Sequence, residues 1–280
     1  MIPHPAASVI LLREPAPGSV EVCMLRRRRG ASFMASAFVF PGGGADPGAA
    51  RFEEAGIALV TGAPTTPEQL ENLRARIATG AAAKPLLAEA GLRWDEALLT
   101  RWAHWITPSL EPKRFSAHFF VAALPAGQSP RFDAVETVEQ VWIAPADAAA
   151  RAGELALPPP QLRTLWELRN LRSIEQVTKA ARARAAEPAP ILPRVSMHAR
   201  PAEPALTEPV LTEPATADPR PALRPPVCLL LPWDPDYLER GQGESMPLDP
   251  CPAWAIGPSR FVMEDRAWRH LDAPGSTSAG

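Results

Sequence analysis

The residues of this chain with the clearest chemical potential are two adjacent carboxylates, Glu53 and Glu54, which follow the run Pro41-Gly42-Gly43-Gly44. Glycines let a backbone turn sharply and approach a ligand closely. Neighbouring carboxylates on a helix point about 100° apart, so they hold one hard cation together only if a third group closes the arc. Mg²⁺ is such a cation, since it takes oxygen ligands, keeps several waters and sits against phosphates. The same residues also read as a Pro-Gly turn before a solvated Glu-Glu helix end, capped by Gly56. A second candidate group is the run Arg26 to Arg29 at the end of an apolar stretch. Such arginines could grip a pyrophosphate or a 3′-phosphate. Alternate strand residues face opposite sides, so at most two, here Arg27 and Arg29, turn to one ligand. His104 and His118 lack metal-ligand spacing and fit core or surface roles, and Trp102, Trp105 and Trp142 fit the core better than base stacking.

These residues need elements to position them. "ASVILL" and "VEVCMLRR" predict two strands joined by a Pro-Gly turn, and "AFVFPGG" a strand running into a glycine turn. Thr66-Pro67-Glu68-Gln69 is a helix start, with Thr66 as N-cap and Pro67 in the first turn, which predicts a helix to about Ile77. Two more helices are expected near Ala82–Ala90 and Trp94–Trp102. Strands are expected over Arg114–Leu124 and Thr137–Ala144. Apolar residues at 162, 165, 166, 168, 171, 174 and 177 predict one long amphipathic helix after a proline stop.

The chain has 280 residues, enough for one sizeable core with appendages. Its 29 basic and 31 acidic residues argue against a nucleic-acid or membrane-surface binder. Cys23, Cys228 and Cys251 show no metal spacing, which favours free thiols and a reducing, cytoplasmic setting. Neither a secretory leader nor a stretch of roughly 20 apolar residues is recognisable. The composition divides the chain into a main domain over 1–183, a proline-rich linker over 187–226 with "PILPRV" as a short strand within it, and a C-terminal extension over 227–270. The extension, with "VCLLLPW" and "SRFVMEDRAW" as strands, is too small for its own core. It is expected to dock on the main domain or on a second copy, which leaves a homodimer open. The last residues, "APGSTSAG", are expected to be disordered.

Five stretches in order resemble the Nudix hydrolase superfamily, and within it the coenzyme A diphosphatase subgroup. They are "ASVILLRE" with "EVCMLRRRR", "FVFPGGGADP", "RFEEAGI", "WAHWITPSLEPKRFSAHFFVAALPAGQ" and "ETVEQVWIAPADA". The resemblance implies an α/β fold, an α/β/α sandwich around a mixed sheet. It also implies Mg²⁺- or Mn²⁺-dependent hydrolysis of a CoA-like or nucleoside diphosphate-linked small molecule. By position Glu53 and Glu54 match the metal pair, and Gly43 the first glycine of the family motif. Backbone at Gly42, Gly43 or Gly44 is placed to meet metal or substrate. Glu136 matches a further metal ligand or general base, with Glu139 as the alternative, and Arg114 matches an arginine that orients substrate. Ser116 replaces an aspartate of the subgroup. The motif is also short: Gly43 to Ile57 spans 15 residues where the full pattern, G-x5-E-x7-R-E-U-x-E-E-x-G-U, has 23. Ala49 and Ala50 stand where it has Arg-Glu. The expectation is therefore a diphosphate hydrolase; the competing expectation is a catalytically weakened ligand-binding or interaction module.

Overall fold

A computed structural model describes residues 3–30, 34–44, 99–130, 137–197, 227–265 and 267–271. The expected helices over 66–77 and 82–90, Glu53, Glu54, Glu136 and the last residues lie outside them. Two sheets dominate. The first is eight-stranded among the described residues and mixed, with the path β3-β2-β1-β6-β5-β8 and with β4 on β1 and β7 on β2. Its strands are β1 (His4–Ala16), β2 (Ser19–Arg27), β3 (Phe38–Val39), β4 (Gly42–Gly44), β5 (Thr100–Ile106), β6 (Phe115–Ala123), β7 (Thr137–Ile143) and β8 (Pro190–Ile191). The second sheet runs β12-β11-β10-β9, from β9 (Arg194–Ser196), β10 (Cys228–Leu230), β11 (Arg260–Glu264) and β12 (Ala267–Leu271). The helices are α1 (Pro145–Ala150), α2 (Pro159–Leu168), α3 (Ile174–Ala186) and α4 (Tyr237–Arg240). A mixed α/β chain with a large mixed sheet and few helices agrees with the expected class.

β1 and β2 form because two apolar, β-branched runs meet across Pro17-Gly18, where Gly18 takes φ 77. The central pair β1–β6 is parallel, with Ala7 opposite His118 and Ile10 opposite Val121. One face of this sheet packs Ile10, Leu12, Val22, Met24, Phe119 and Val121 against Leu162, Leu165 and Leu168 of α2 and Val177 and Ala181 of α3. Leu229, Leu231 and Phe261 of the second sheet join the same core. Burying such side chains contributes about 1.5–3 kcal/mol each.

Three readings are revised by the structure. Thr100–Trp102, expected at the end of a helix, begin β5, because Trp102 and Trp105 bury on the core face while the backbone pairs with β6. The single long helix is two. It stops after Leu168 and restarts at Ile174, where Ser173 accepts a hydrogen bond from the Gln176 amide and offers the chain a new N-cap. Gly42–Gly44 are a short strand on β1 rather than a free turn. Within the segment read as linker, "PILPRV" is sheet as expected. Ile191 and Leu192 are buried, β8 pairs with β5, and β9 pairs with β10 with Ser196 opposite Cys228. Residues 198–226 lie outside the described set. The final apolar stretch is a hairpin, β11–β12, turning at Glu264-Asp265.

Arginines fasten the extension to the helices. Arg163 of α2, 1% exposed, donates to the Pro258 and Ile256 carbonyls and to Glu167. Arg184 of α3 also reaches Glu167 and lies between the rings of Trp102 and Trp254, at 4.6 and 4.5 Å. Behind the second sheet, Arg260 holds both Asp234 and Asp236.

Candidate functional site

The glycine run sits at a fork in the main sheet. On one edge β1 pairs with β2 through Leu12–Ala16 and with β4 through Ala6–Ser8. The facing edge of β2 leaves β1 after Val22 and takes up β3 at Leu25 and Arg26. Phe38 to Gly44 thus crosses the fork, pairing first with β2 and then with β1. Phe40 is buried at the crossing and the Pro41 carbonyl accepts from the Val9 amide at 2.7 Å. Gly42 is required there: a Cβ would lie 2.5 Å from Ser8 Oγ and 2.6 Å from the Ala7 carbonyl oxygen. The backbone thereby enters the segment carrying Glu53 and Glu54 from a fixed point, with Gly43 opposite Ala7 and Gly44 opposite Ala6.

The directions of the strands bring several expected residues to one end of the sheet. β2 runs antiparallel to β1 and β6 parallel to it, so the end of β2, the starts of β1 and β6, and Gly44 share a rim. Arg27 is half-buried there, its Nε without a hydrogen-bond partner, and Arg29 is exposed in the following turn. Arg26 instead lies over the Phe38 ring and pairs with Glu139 at 3.4 Å. Thr137, next in sequence to Glu136, is the register partner of Arg27. Arg114 also belongs to this rim, but it is 2% exposed and turned inward. Its Nε donates to the Thr107 carbonyl and its Nη2 to Glu244 of the extension at 3.0 Å. Ser109 accepts from the Glu244 amide, tying that loop down a second time.

The sequence reading gave His104 and His118 core or surface roles but did not pair them. His104 and His118 are opposite each other on β5 and β6, their rings stacked with centroids 3.9 Å apart and 14° between planes. His104 Nε2 is 2.8 Å from Ser116 Oγ. Burial, with the positive charge of Arg101 added, pulls His104 down to about 4; burial, then His104 and Arg101, pulls His118 down to about 3. Both rings are therefore neutral at pH 7. An alternation count along "RFSAHFF" and "RWAHWI" would have placed both on the same face only if the irregularity between Arg101 and Ala103 were known. Cys23 is the opposite case: burial raises its thiol to about 12, so it is an inert core residue. Among the described residues no three His, Cys, Asp or Glu side chains are grouped to hold a metal ion, and no helix is long and apolar enough to cross a membrane.

No protein-family profile matches the chain. It is 30% identical over 185 residues to nudix hydrolase 7 of Caenorhabditis elegans, which covers 60% of this chain and 61% of that protein. It is 32% identical over 93 residues to the human acyl-coenzyme A diphosphatase NUDT19, covering 32% of this chain and 25% of the relative. The chain thus spans less than two thirds of either relative. Among solved structures, a Nudix hydrolase from Alicyclobacillus acidocaldarius aligns with a TM-score of 0.45 at 24% identity, over 64% of this chain and 96% of that one. The Ap4A hydrolase of C. elegans, in a binary complex, aligns with a TM-score of 0.35 at 18% identity, over 58% and 93%. In sequence the chain is thus similar to Nudix hydrolases, with an acyl-coenzyme A diphosphatase among its relatives.

Proposed function

We propose that the chain is a divalent-metal Nudix hydrolase that cleaves the diphosphate bond of a CoA-like or nucleoside diphosphate-linked molecule. The observation that carries this reading is the fork. A glycine strand that tolerates no side chain at Gly42 ends at the rim that also holds Arg27 and Arg29, and the Glu53-Glu54 pair follows it in sequence. The sequence similarity to an acyl-coenzyme A diphosphatase supports the substrate class.

The donor chemistry fits a hard cation. Glu53, Glu54, Glu136 and a backbone carbonyl at Gly43 are all oxygen donors, the set that suits Mg²⁺ or Mn²⁺. When bound, the metal neutralises diphosphate charge and lowers the pKa of a water. The chain's own residues do the rest: Glu54 or Glu136 takes the proton from the attacking water, and Gly42 and Gly44 let substrate approach the backbone. Arg27 and Arg29 hold phosphate oxygens. Arg114 acts at one remove, by fixing the loop from Thr107 that leads into β6.

The test is turnover of a panel of diphosphate compounds by purified protein with Mn²⁺, followed by mass spectrometry, beside Glu54→Gln. Metal-dependent cleavage that Glu54→Gln abolishes supports the reading. Absence of both cleavage and Mn²⁺ binding would leave the shortened motif as a ligand-binding or interaction surface.

A further inference from the structure

On the face of the main sheet turned away from α2 and α3, one polar group interrupts a row of buried apolar residues that includes Val9, Leu11 and Phe120. The register shift in β5 sends Trp102 and Ala103 both into the core and leaves Arg101 and His104 together on the other face. A bulge re-aims side chains in this way. On β6, Ala117, Phe119 and Val121 join the core, so Ser116 and His118 lie on that other face, where both touch His104 and where Arg101 stands opposite Phe120.

We propose that Arg101, His104, Ser116 and His118 form a binding site for a phosphoryl group, distinct from the Glu53-Glu54 motif. The cluster is rich in donors and lacks an anion. Among the described residues no carboxylate pairs with Arg101, and burial lowers its pKa. His118 is 93% buried by its 7% exposure, yet its Nδ1 has no hydrogen-bond partner. A half-buried guanidinium without a counter-charge among the described residues, beside an unmatched ring nitrogen, is what an incoming oxyanion would satisfy. In the Nδ1–H tautomer His118 donates to such an anion, and the Ser116 hydroxyl offers another donor. Because both imidazoles are neutral, the site would recognise the anion by one fixed charge and several directed hydrogen bonds.

The position gives the site a use. His104, His118, Ala7 and Gly43 are successive register partners across β5, β6, β1 and β4. Strands lie about 4.8 Å apart, so His118 is about 10 Å from Gly43 along a row whose intervening side chain is only a methyl. A ligand with two phosphate groups separated by a sugar can reach from one point to the other. The site itself does not depend on the hydrolase reading, because phosphoryl binding here needs neither metal nor Glu54.

The experiment follows the imidazole Cε1–Hε1 signals of His104 and His118 by NMR in the full chain without divalent metal. Inorganic phosphate and AMP are titrated separately, to tell a free anion from a nucleotide-borne one. The expected result is a saturable shift of both histidines with at least one probe, retained in Glu54→Gln. Arg101→Gln should weaken it at least tenfold, while Arg101→Lys should weaken it less. Silent histidine signals in the wild-type protein would overturn the proposal, as would shifts undiminished by Arg101→Gln. Absence of diphosphate turnover by the wild-type protein with Mn²⁺, with these shifts intact, would count against the hydrolase reading alone.

Discussion

Glu167 receives Arg163 Nε at 2.8 Å, Arg184 Nη1 at 3.0 Å and Trp102 Nε1 at 3.0 Å, all in the interior. Removing it leaves two buried guanidinium groups without a counter-charge. Glu167→Ala should therefore cost about 3–5 kcal/mol in urea unfolding, the range for breaking a buried pair. Gly42→Ala should cost stability as well, because the backbone oxygen of Ala7 cannot make way for a methyl group 2.6 Å distant; a lower melting temperature together with reduced diphosphate cleavage is expected. The stacked histidines set a pH dependence. Their folded values fall to about 4 and about 3, below the ordinary 6.5, so between pH 6.5 and about 4 the unfolded chain binds more protons than the folded one. Stability should fall as pH falls through that window, by at most about 1.4 kcal/mol per pH unit for each ring. A His104→Phe, His118→Phe double variant should show a shallower fall. Individual residues were the least legible level of the sequence. Arg114 matched a motif by position, yet the acceptor it meets, Glu244, lies 130 residues further on, and nothing local announces such a partner. The carboxylates Glu53, Glu54 and Glu136 stand in the sequence reading alone.

At the scale of elements, strands were read well where an apolar run had both its periodicity and its turn. β1, β2, β6 and β7 all begin and end within a few residues of expectation. The misreadings share one cause: pairing or capping partners decided what local pattern left open. Trp102 fits a helix pattern, but β6 supplies hydrogen bonds to an extended backbone there. The break between α2 and α3 was carried by Ser173, whose capping geometry costs little in sequence signal. The shortened motif is also an element-scale matter. Inserting eight residues after Gly48, with Arg-Glu restored four and three positions before Glu53, should raise diphosphate cleavage by at least ~10²-fold, the low end for gaining a positioned acid–base group. Kinetic assays of the insertion beside Glu139→Gln would check this. Glu139 pairs with Arg26, and its substitution should leave most activity in place.

For the molecule as a whole, one core joins both sheets. Deleting everything after Ala186 would uncover the faces that meet Ile191, Leu229, Leu231 and Phe261, at about 25 cal/mol for each Å² of apolar surface. The expected outcome is a markedly lower melting temperature and aggregation on gel filtration. The same organisation has a practical consequence at the seam between β9 and β10. Ser196 and Cys228 are register partners, so the chain departs from one strand and resumes on its immediate neighbour, about 5 Å away. Whatever residues intervene, their two ends are already held together by the sheet, and doubling the span between them costs only about 0.6 kcal/mol of closure entropy. That makes the interval a graft point. A reporter domain whose own termini lie close together should be accepted between Met197 and Val227 with little change in melting temperature. New termini opened there should yield a circular permutant that folds.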